Sequence, residues 1–399
     1  MKTISINNKS TNNTNSKNRI MKKEILSIAC FFVVIAMSSC SVSSNQLTDQ
    51  EILVKIYNAM NGPNWKGSDG ENWLSDKPIG EWKGVKINDE GRVIALAVQG
   101  DTVRELIPAE IAGLTELEEL TINIKKNEIA NIIPTEIEKL TKLKLLRLSL
   151  SFFIPNDDRP ILPDLSSLVN LEHLYLSGFK GTIPESISQL IKLRTLHLGS
   201  FEWEIPESIC ELANLEQLDI VTSSQPEGAM PDCIGKLRNL KRLKIDYSLG
   251  SAGAIKQPNA KFPESIWDLT NLEYLYLRTI SNTGGPIPGD KVARMTNLKS
   301  ICVADCGITG TIPVEFFTSG KLTEISLYRN ELTGNIPTEI GNCPKLRYIH
   351  LDNNQLTGSI PNEIANCPNL SNLTLNENQL SPDIPKALKA HPNFSKFKF

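Results

Sequence analysis

Apolar residues return along this chain on a fixed beat. From Val93 onward, a triplet with apolar residues at offsets 0, +3 and +5 recurs thirteen times. It opens at Val93, Leu117, Leu143, Leu171, Leu193, Leu215, Leu240, Leu272, Leu298, Leu322, Leu346, Leu370 and Phe394, and the last five openings stand 24 residues apart. Offsets +3 and +5 share one face of an extended strand, because side chains alternate across a strand, and +4 faces the other way. One such strand cannot bury its apolar face alone. Stacked copies can, so a period in this range predicts a solenoid with one continuous core. Between triplets comes Ile-Pro with an apolar residue three further on, as in Ile183-Pro184 with Ile187 and Ile336-Pro337 with Ile340. Proline fixes φ and lacks an N–H, so it suits the irregular side opposite the strands. The pattern predicts about thirteen short parallel strands alternating with irregular or 3-10 turns. That is an α/β solenoid with its parallel sheet on the concave face.

Ahead of the repeats the pattern changes. Residues 1–20 are rich in Asn, Lys, Ser and Thr without an apolar period. They read as a tail upstream of the true start at Met21. Lys22 and Lys23 precede a thirteen-residue apolar stretch, 25–37, too short to cross a bilayer as a helix. Residues 21–39 therefore read as an export signal. Its ending, Ser38-Ser39-Cys40, resembles a bacterial lipoprotein box, which implies lipid attachment at Cys40. Residues 40–47 read as a tether, and 48–92 as an N-terminal cap. Thr48 and Glu51 have capping-box spacing. Ile52, Leu53, Ile56, Tyr57 and Met60 follow at helical spacing, and Asn61-Gly62-Pro63 ends the helix. Trp65, Trp73 and Trp82 come next. They fit either a sugar-binding platform or a cover for the open end of the core. The cover is favoured, because terminal coils need one.

The repeats, 93–399, resemble the leucine-rich repeat family. Leu-Thr-Gly-x-Ile-Pro, present at 332–337 and 356–361, is the variant typical of plant receptor ectodomains and also common in bacterial surface proteins. The resemblance implies a curved leucine-rich repeat. The family's Asn at +8 bonds neighbouring coils. Asn330, Asn354 and Asn378 match it, Cys306 replaces it once, and Ser151, Phe179, Phe201, Ser223, Ser248 and Ile280 stand elsewhere. The middle coils are therefore expected to be less regular. Trp82-Lys83-Gly84-Val85 resembles the cap of the same receptor class, which carries cysteines where this chain has Gly80 and Ile87. This cap is expected to rest on its tryptophans and Ile79. The lipoprotein-like start makes the chain similar to repeat lipoproteins of the Bacteroides type. That implies a lipid-anchored protein of the bacterial cell envelope, with the outer membrane expected and the facing left open.

Charge and motif content narrow the function. Residues 1–40 hold six of the 42 Lys and Arg and one of the 45 Asp and Glu, so the remainder carries a formal net charge of −8. Such a surface binds nucleic acid poorly without specificity. There is no Gly-x-Ser-x-Gly elbow, no His-Glu-x-x-His, no phosphate-binding glycine loop and no cofactor motif. Of eight cysteines, Cys30 lies in the signal and Cys40 takes the lipid. Cys343 and Cys367 sit where other coils carry Leu140 and Leu190, and are expected to be small buried hydrophobes. A bridge between them, or between Cys210 and Cys233 in more exposed slots, is left open. Cys302 is expected at the surface and Cys306 inside.

The solvent-facing strand positions carry the candidate ligand-binding residues: His173, Tyr175, His197, Asp219, Lys244, Tyr274, Tyr276, Arg278, Tyr328, Tyr348 and His350. Aromatics and arginine on a concave surface are common ingredients of binding hot spots. Tyrosine also suits strands for its own sake. A His173–His197 metal pair lacks an evident third ligand. Longer coils place extra residues near 152–163, 248–261 and 281–289, on one edge. The chain ends on the thirteenth strand without an obvious polar cover, so a partner or a second copy is expected there. The favoured function is recognition of a protein, peptide or glycan on the concave face. The alternatives are a structural envelope spacer and, less favoured, a hydrolytic enzyme.

Overall fold

The computed structural model describes residues 46–65, 70–100, 107–127, 133–152, 161–179, 181–199, 205–221, 230–247, 262–280 and 284–399. The signal segment, Cys40 and most of the inserted edge loops lie outside these residues.

The cap begins with helix α1, Asp49–Ala59, where Thr48 and Glu51 form the expected reciprocal capping box. Asp49 is buried against the first repeat. It accepts from the Val93 backbone at 2.7 Å and from Arg92 Nε at 3.1 Å. The tryptophans pack together: the Tyr57 and Trp73 rings lie 5.6 Å apart and the Trp73 and Trp82 rings 5.1 Å. Their indole N–H groups donate inward, to the carbonyls of Met60, Lys83 and Lys77. This is a cover, with its polar handles already used. At the positions where the receptor class has cysteines, a Cβ on Gly80 would lie 2.9 Å from Ile87 Cδ1. An apolar contact occupies the place of the staple.

Strand β1, Val85–Ile87, pairs antiparallel with β2, Val93–Gly100. The remaining inner strands follow in parallel: β3 Glu119–Asn127, β4 Leu145–Phe152, β5 His173–Ser177, β6 Thr195–Gly199, β7 Gln217–Val221, β8 Arg242–Asp246, β9 Tyr274–Arg278, β10 Ser300–Ala304, β12 Glu324–Ser326, β14 Tyr348–His350 and β16 Asn372–Thr374. The +3 and +5 residues of the first twelve copies are buried, Leu174 and Leu196 completely, whereas Phe399 of the thirteenth is 38% exposed. Behind the strands, Pro launches a 3-10 turn that tucks an isoleucine into the core, as Pro184 does for Ile187 and Pro337 for Ile340; Pro313 starts one that buries Phe316 and Phe317, and Pro288 and Pro385 start short α-helices instead.

Three expectations need correction. The thirteenth copy is not a strand. Phe394–Lys396 form a 3-10 turn, and only Lys398 bridges to Thr374. The last apolar face is not left for a partner. Leu388 is fully buried there, His391 Nε2 lies 3.3 Å from the Cys367 carbonyl, and the His391 and Phe397 rings are 5.2 Å apart. The middle coils keep an unbroken register from β4 to β9. Their five-residue strands outlast the three-residue strands of the last three coils. An asparagine one residue before many of the triplets ties coil to coil: Asn170, Asn214, Asn239 and Asn271 each donate to a carbonyl of the preceding coil at 2.8–2.9 Å, and Asn369 and Asn393 do so in the last coils.

In the last coils the +8 asparagines turn the chain away early. Asn354 Nδ2 donates to the carbonyls of Leu327 and Leu351, and Leu332 N–H donates back to Oδ1. Gly334 and Gly358, with φ of 73° and 77°, then complete the turn that lets a second sheet form. Its strands are β11 Thr309–Gly310, β13 Glu331–Gly334, β15 Gln355–Gly358 and β17 Gln379–Leu380.

Candidate functional site

The inner face of the long sheet presents three columns of side chains, one at each solvent-facing strand offset. The central column runs in register through Arg147, Tyr175, His197, Asp219, Lys244, Tyr276, Cys302, Ser326, His350 and Thr374. Six of the eleven candidate residues stand in it. His173, Tyr274 and Tyr348 occupy the column on one side, and Arg278 and Tyr328 the column on the other.

The residues interlock. The Arg147 guanidinium lies 4.0 Å over the Tyr175 ring, and that ring is 6.1 Å from His197. His197 Nδ1 is 3.8 Å from Asp219 Oδ2. Asp219 accepts from Gln217 Nε2 at 2.7 Å and from Arg242 Nε at 3.0 Å. Asp219 was expected to face solvent but is 5 % exposed, because these neighbours close over it. Burial pushes its carboxyl up, but the contacts from His197, Gln217 and Arg242 prevail and hold it below the ordinary carboxylate range. His173 Nδ1 lies 3.1 Å from Thr195 Oγ1, so the two histidines turn to different neighbours. Among the described residues no three His, Cys, Asp or Glu side chains converge to hold a metal.

Further along, Lys244 lies 5.2 Å from the Tyr276 ring centre and 4.0 Å from Asp246 Oδ2. Burial pushes the Tyr276 phenol up to about 12 and raises that of Tyr328. Burial disfavours the Arg278 cation, but the phenols of Tyr328 and Tyr276 more than offset this. Cys302 corrects another expectation. It sits in register between Tyr276 and Ser326, only 3 % exposed, and burial pushes its thiol up to about 12. Cys306, Cys343 and Cys367 are buried as expected, and the bridge left open between Cys343 and Cys367 is not formed. Cys210 and Cys233 are bridged, with Cα atoms 5.9 Å apart, joining the turns of adjacent coils. In the last coils burial lowers the basicity of His350, whose Nδ1 lies 3.0 Å from Ser326 Oγ.

Sequence reasoning passed over Arg147, Gln217 and Arg242, which position the candidate residues. Reading across coils at a fixed offset exposes all three. The same reading reveals a charge ladder at offset +1. Glu118, Lys144, Glu172, Arg194, Glu216, Lys241, Glu273 and Lys299 alternate in sign over eight consecutive coils. Lys144 meets Glu118 and Lys241 meets Glu216, each at 2.8 Å, and the second pair borders a polar groove of about 480 Å³ with Glu172 and Arg194. Exposed pairs contribute little stability each. The ladder leaves that edge internally neutral.

The leucine-rich repeat region family matches residues 161–326, and the leucine rich repeat family matches residues 320–380. The chain is a leucine-rich repeat protein. Its sheet, turns and solved neighbours make it a curved leucine-rich repeat solenoid. A TDR receptor structure is similar over 73% of this chain and 48% of its own, with 27% identity and a TM-score of 0.62. The plant peptide hormone receptor RGFR1, solved in complex with RGF2, is 25% identical over 78% of this chain and 59% of its own, with a TM-score of 0.54. A leucine-rich repeat protein of Leptospira interrogans is 25% identical over 76% of this chain and 84% of its own, with a TM-score of 0.51. The chain thus spans about half the length of the plant receptors it matches. Among curated proteins, none matches the chain in sequence.

Proposed function

We propose that the chain is a lipid-anchored, extracytoplasmic binding protein that recognises a protein or peptide on the inner face of its sheet. The observation that carries this reading is the inner face itself. A run of tyrosine, histidine and arginine is held in register on a rigid sheet, which is how recognition residues are best preorganised. The structural likeness to a receptor solved with its peptide hormone supports the ligand class. The Cys210–Cys233 bridge supports an oxidising compartment, where such bonds persist. The lipoprotein-like ending at Cys40 supports the anchor.

The test is cross-linking in the native envelope, followed by identification of the captured protein or peptide. Replacing Tyr175, Tyr276 and Tyr328 together by alanine is expected to abolish capture while circular dichroism stays unchanged. Undiminished capture would favour a spacer that binds through another surface. For the anchor, Cys40→Ala is expected to move the protein out of the membrane fraction. A variant that stays there contradicts lipid attachment at that residue.

A further inference from the structure

We propose that the edge carrying the alternating charge ladder docks a second copy of this chain, in a two-fold dimer whose ladders run antiparallel. The proposal is independent of what the inner face recognises. Its basis is a symmetry of the sign pattern. The ladder has eight rungs, begins with Glu118, ends with Lys299 and alternates throughout. An alternating row of even length becomes its own complement when reversed. With the centre of symmetry between Arg194 and Glu216, Arg194 meets Glu216 of the second copy, and Glu172 meets Lys241. Further out, Lys144 meets Glu273 and Glu118 meets Lys299. A slip by one coil sets like against like at every rung. So does a two-fold axis laid along the ladder, which places each charge against its own copy. Like charges in apposition are costly, so the pattern selects one register.

The backbone holds this edge rigid. From Lys144 to Lys299, the amide of each rung donates to the carbonyl of the rung before it at 2.8 Å. At about 4.8 Å per coil the eight rungs span roughly 34 Å. The extra residues of the longer coils come after the strand, away from this end of it. Lys192, Asn214 and Asn239, each one residue before a triplet, line the polar groove together with the central rungs. That groove straddles the centre of symmetry. Under the same rotation Lys192 meets Asn214 and Asn170 meets Asn239, so this second row brings no like charges together. One residue earlier again, Ile191 is 61% exposed and Val169 45%. Ile191 meets the small, exposed Ala213 of the second copy, and Val169 the aliphatic stem of Arg238. Both contacts occur twice about the axis and take wetted apolar surface out of water.

Within one chain the rungs already pair, Glu216 with both Arg194 and Lys241. Such exposed pairs contribute little to folding. They survive apposition, in which each charge also gains an opposite charge across the axis. The axis runs from the convex to the concave side, because only that rotation reverses the ladder and keeps its curvature. Both inner faces then open to the same side, next to one another, as one doubled surface.

The experiment is sedimentation velocity on the purified chain at low salt and at about 1 M salt, where the screening length falls to about 3 Å. A dimer is expected at low salt, with a dissociation constant that rises roughly tenfold or more at high salt. Lys144→Glu and Glu273→Lys should each weaken it roughly tenfold to a hundredfold, since each sets two like-charge pairs across the axis. Thermal unfolding of both variants controls for folding. Lys144 and Glu273 stand five rungs apart in one chain, roughly 24 Å, so they can meet only between copies. An equimolar mixture of the two variants is therefore expected to restore the dimer, because every pair across the axis is again of opposite sign. A wild-type chain that stays monomeric at low salt overturns the proposal. A dimer that neither variant nor salt disturbs also overturns it and places the contact elsewhere. Variants that fail to associate when mixed exclude the antiparallel register and overturn it too.

Discussion

Asp219 is the most exacting point of the site, because a carboxylate is buried in the middle of a recognition surface. Replacing it by alanine removes two contacts to a carboxylate, the hydrogen bond from the Gln217 amide and the ion pair with Arg242. Each contributes about 1.5–3 kcal/mol when dry. The Arg242 side chain is 41% exposed, so solvent screening cuts the second to about 1 kcal/mol. Asp219→Ala should therefore lower stability by about 3 kcal/mol at neutral pH. Urea unfolding followed by tryptophan fluorescence measures it. The effect also has a sign with pH. The Asp219 carboxyl is held below its ordinary value in the fold, so the unfolded chain takes up the proton first as pH falls. Its stabilisation is complete above about pH 4 and is lost as pH drops through the folded value. The gap between the wild-type chain and Asp219→Asn should close in acid. Equal midpoints for the alanine variant at neutral pH, or a gap to the asparagine variant that does not narrow as pH falls below about 4, would refute the account of how the site holds its charge.

Three other measurements probe the frame. Serine at both Cys210 and Cys233 opens a bridge with a sequence separation of 23 and should lower stability by about 3 kcal/mol on a chain-entropy basis; identical unfolding curves with and without reductant on the wild-type chain would count against it. Iodoacetamide at mildly alkaline pH should leave Cys302, Cys306, Cys343 and Cys367 unlabelled in the native chain and label them after urea, as read by peptide mass spectrometry. Native-state labelling of Cys302 contradicts its burial. Asn354→Ala leaves the Leu332 amide and the carbonyls of Leu327 and Leu351 without its side chain. At about 1–3 kcal/mol for a buried unpaired group, hydrogen exchange at Leu332 should accelerate by roughly fivefold to a hundredfold; unchanged exchange means the ladder is not what secures the turn.

The repeat and the cap were readable because each is local and periodic. The apolar triplet is a statement about one strand face, and the Thr48–Glu51 box about one helical turn. Two misreadings have a common cause. The middle coils looked irregular because only the +8 asparagine was sought, whereas Asn214 and Asn239 stitch them from another offset. The thirteenth triplet looked like a strand, but Phe397 and His391 fold over the last coil instead. Both depend on what the adjacent coil offers, which no single repeat contains.

By itself the chain determined that it is a solenoid, which residues form its core and which columns face outward, since strand alternation and a fixed period leave no other way to bury the triplets. Only the tertiary structure decided which outward residues are covered. Asp219 and Cys302 disappear beneath their cross-strand neighbours. Burial and pairing on this face are set by side chains one coil away, a step of about 4.8 Å in space between residues 22 to 32 apart in sequence.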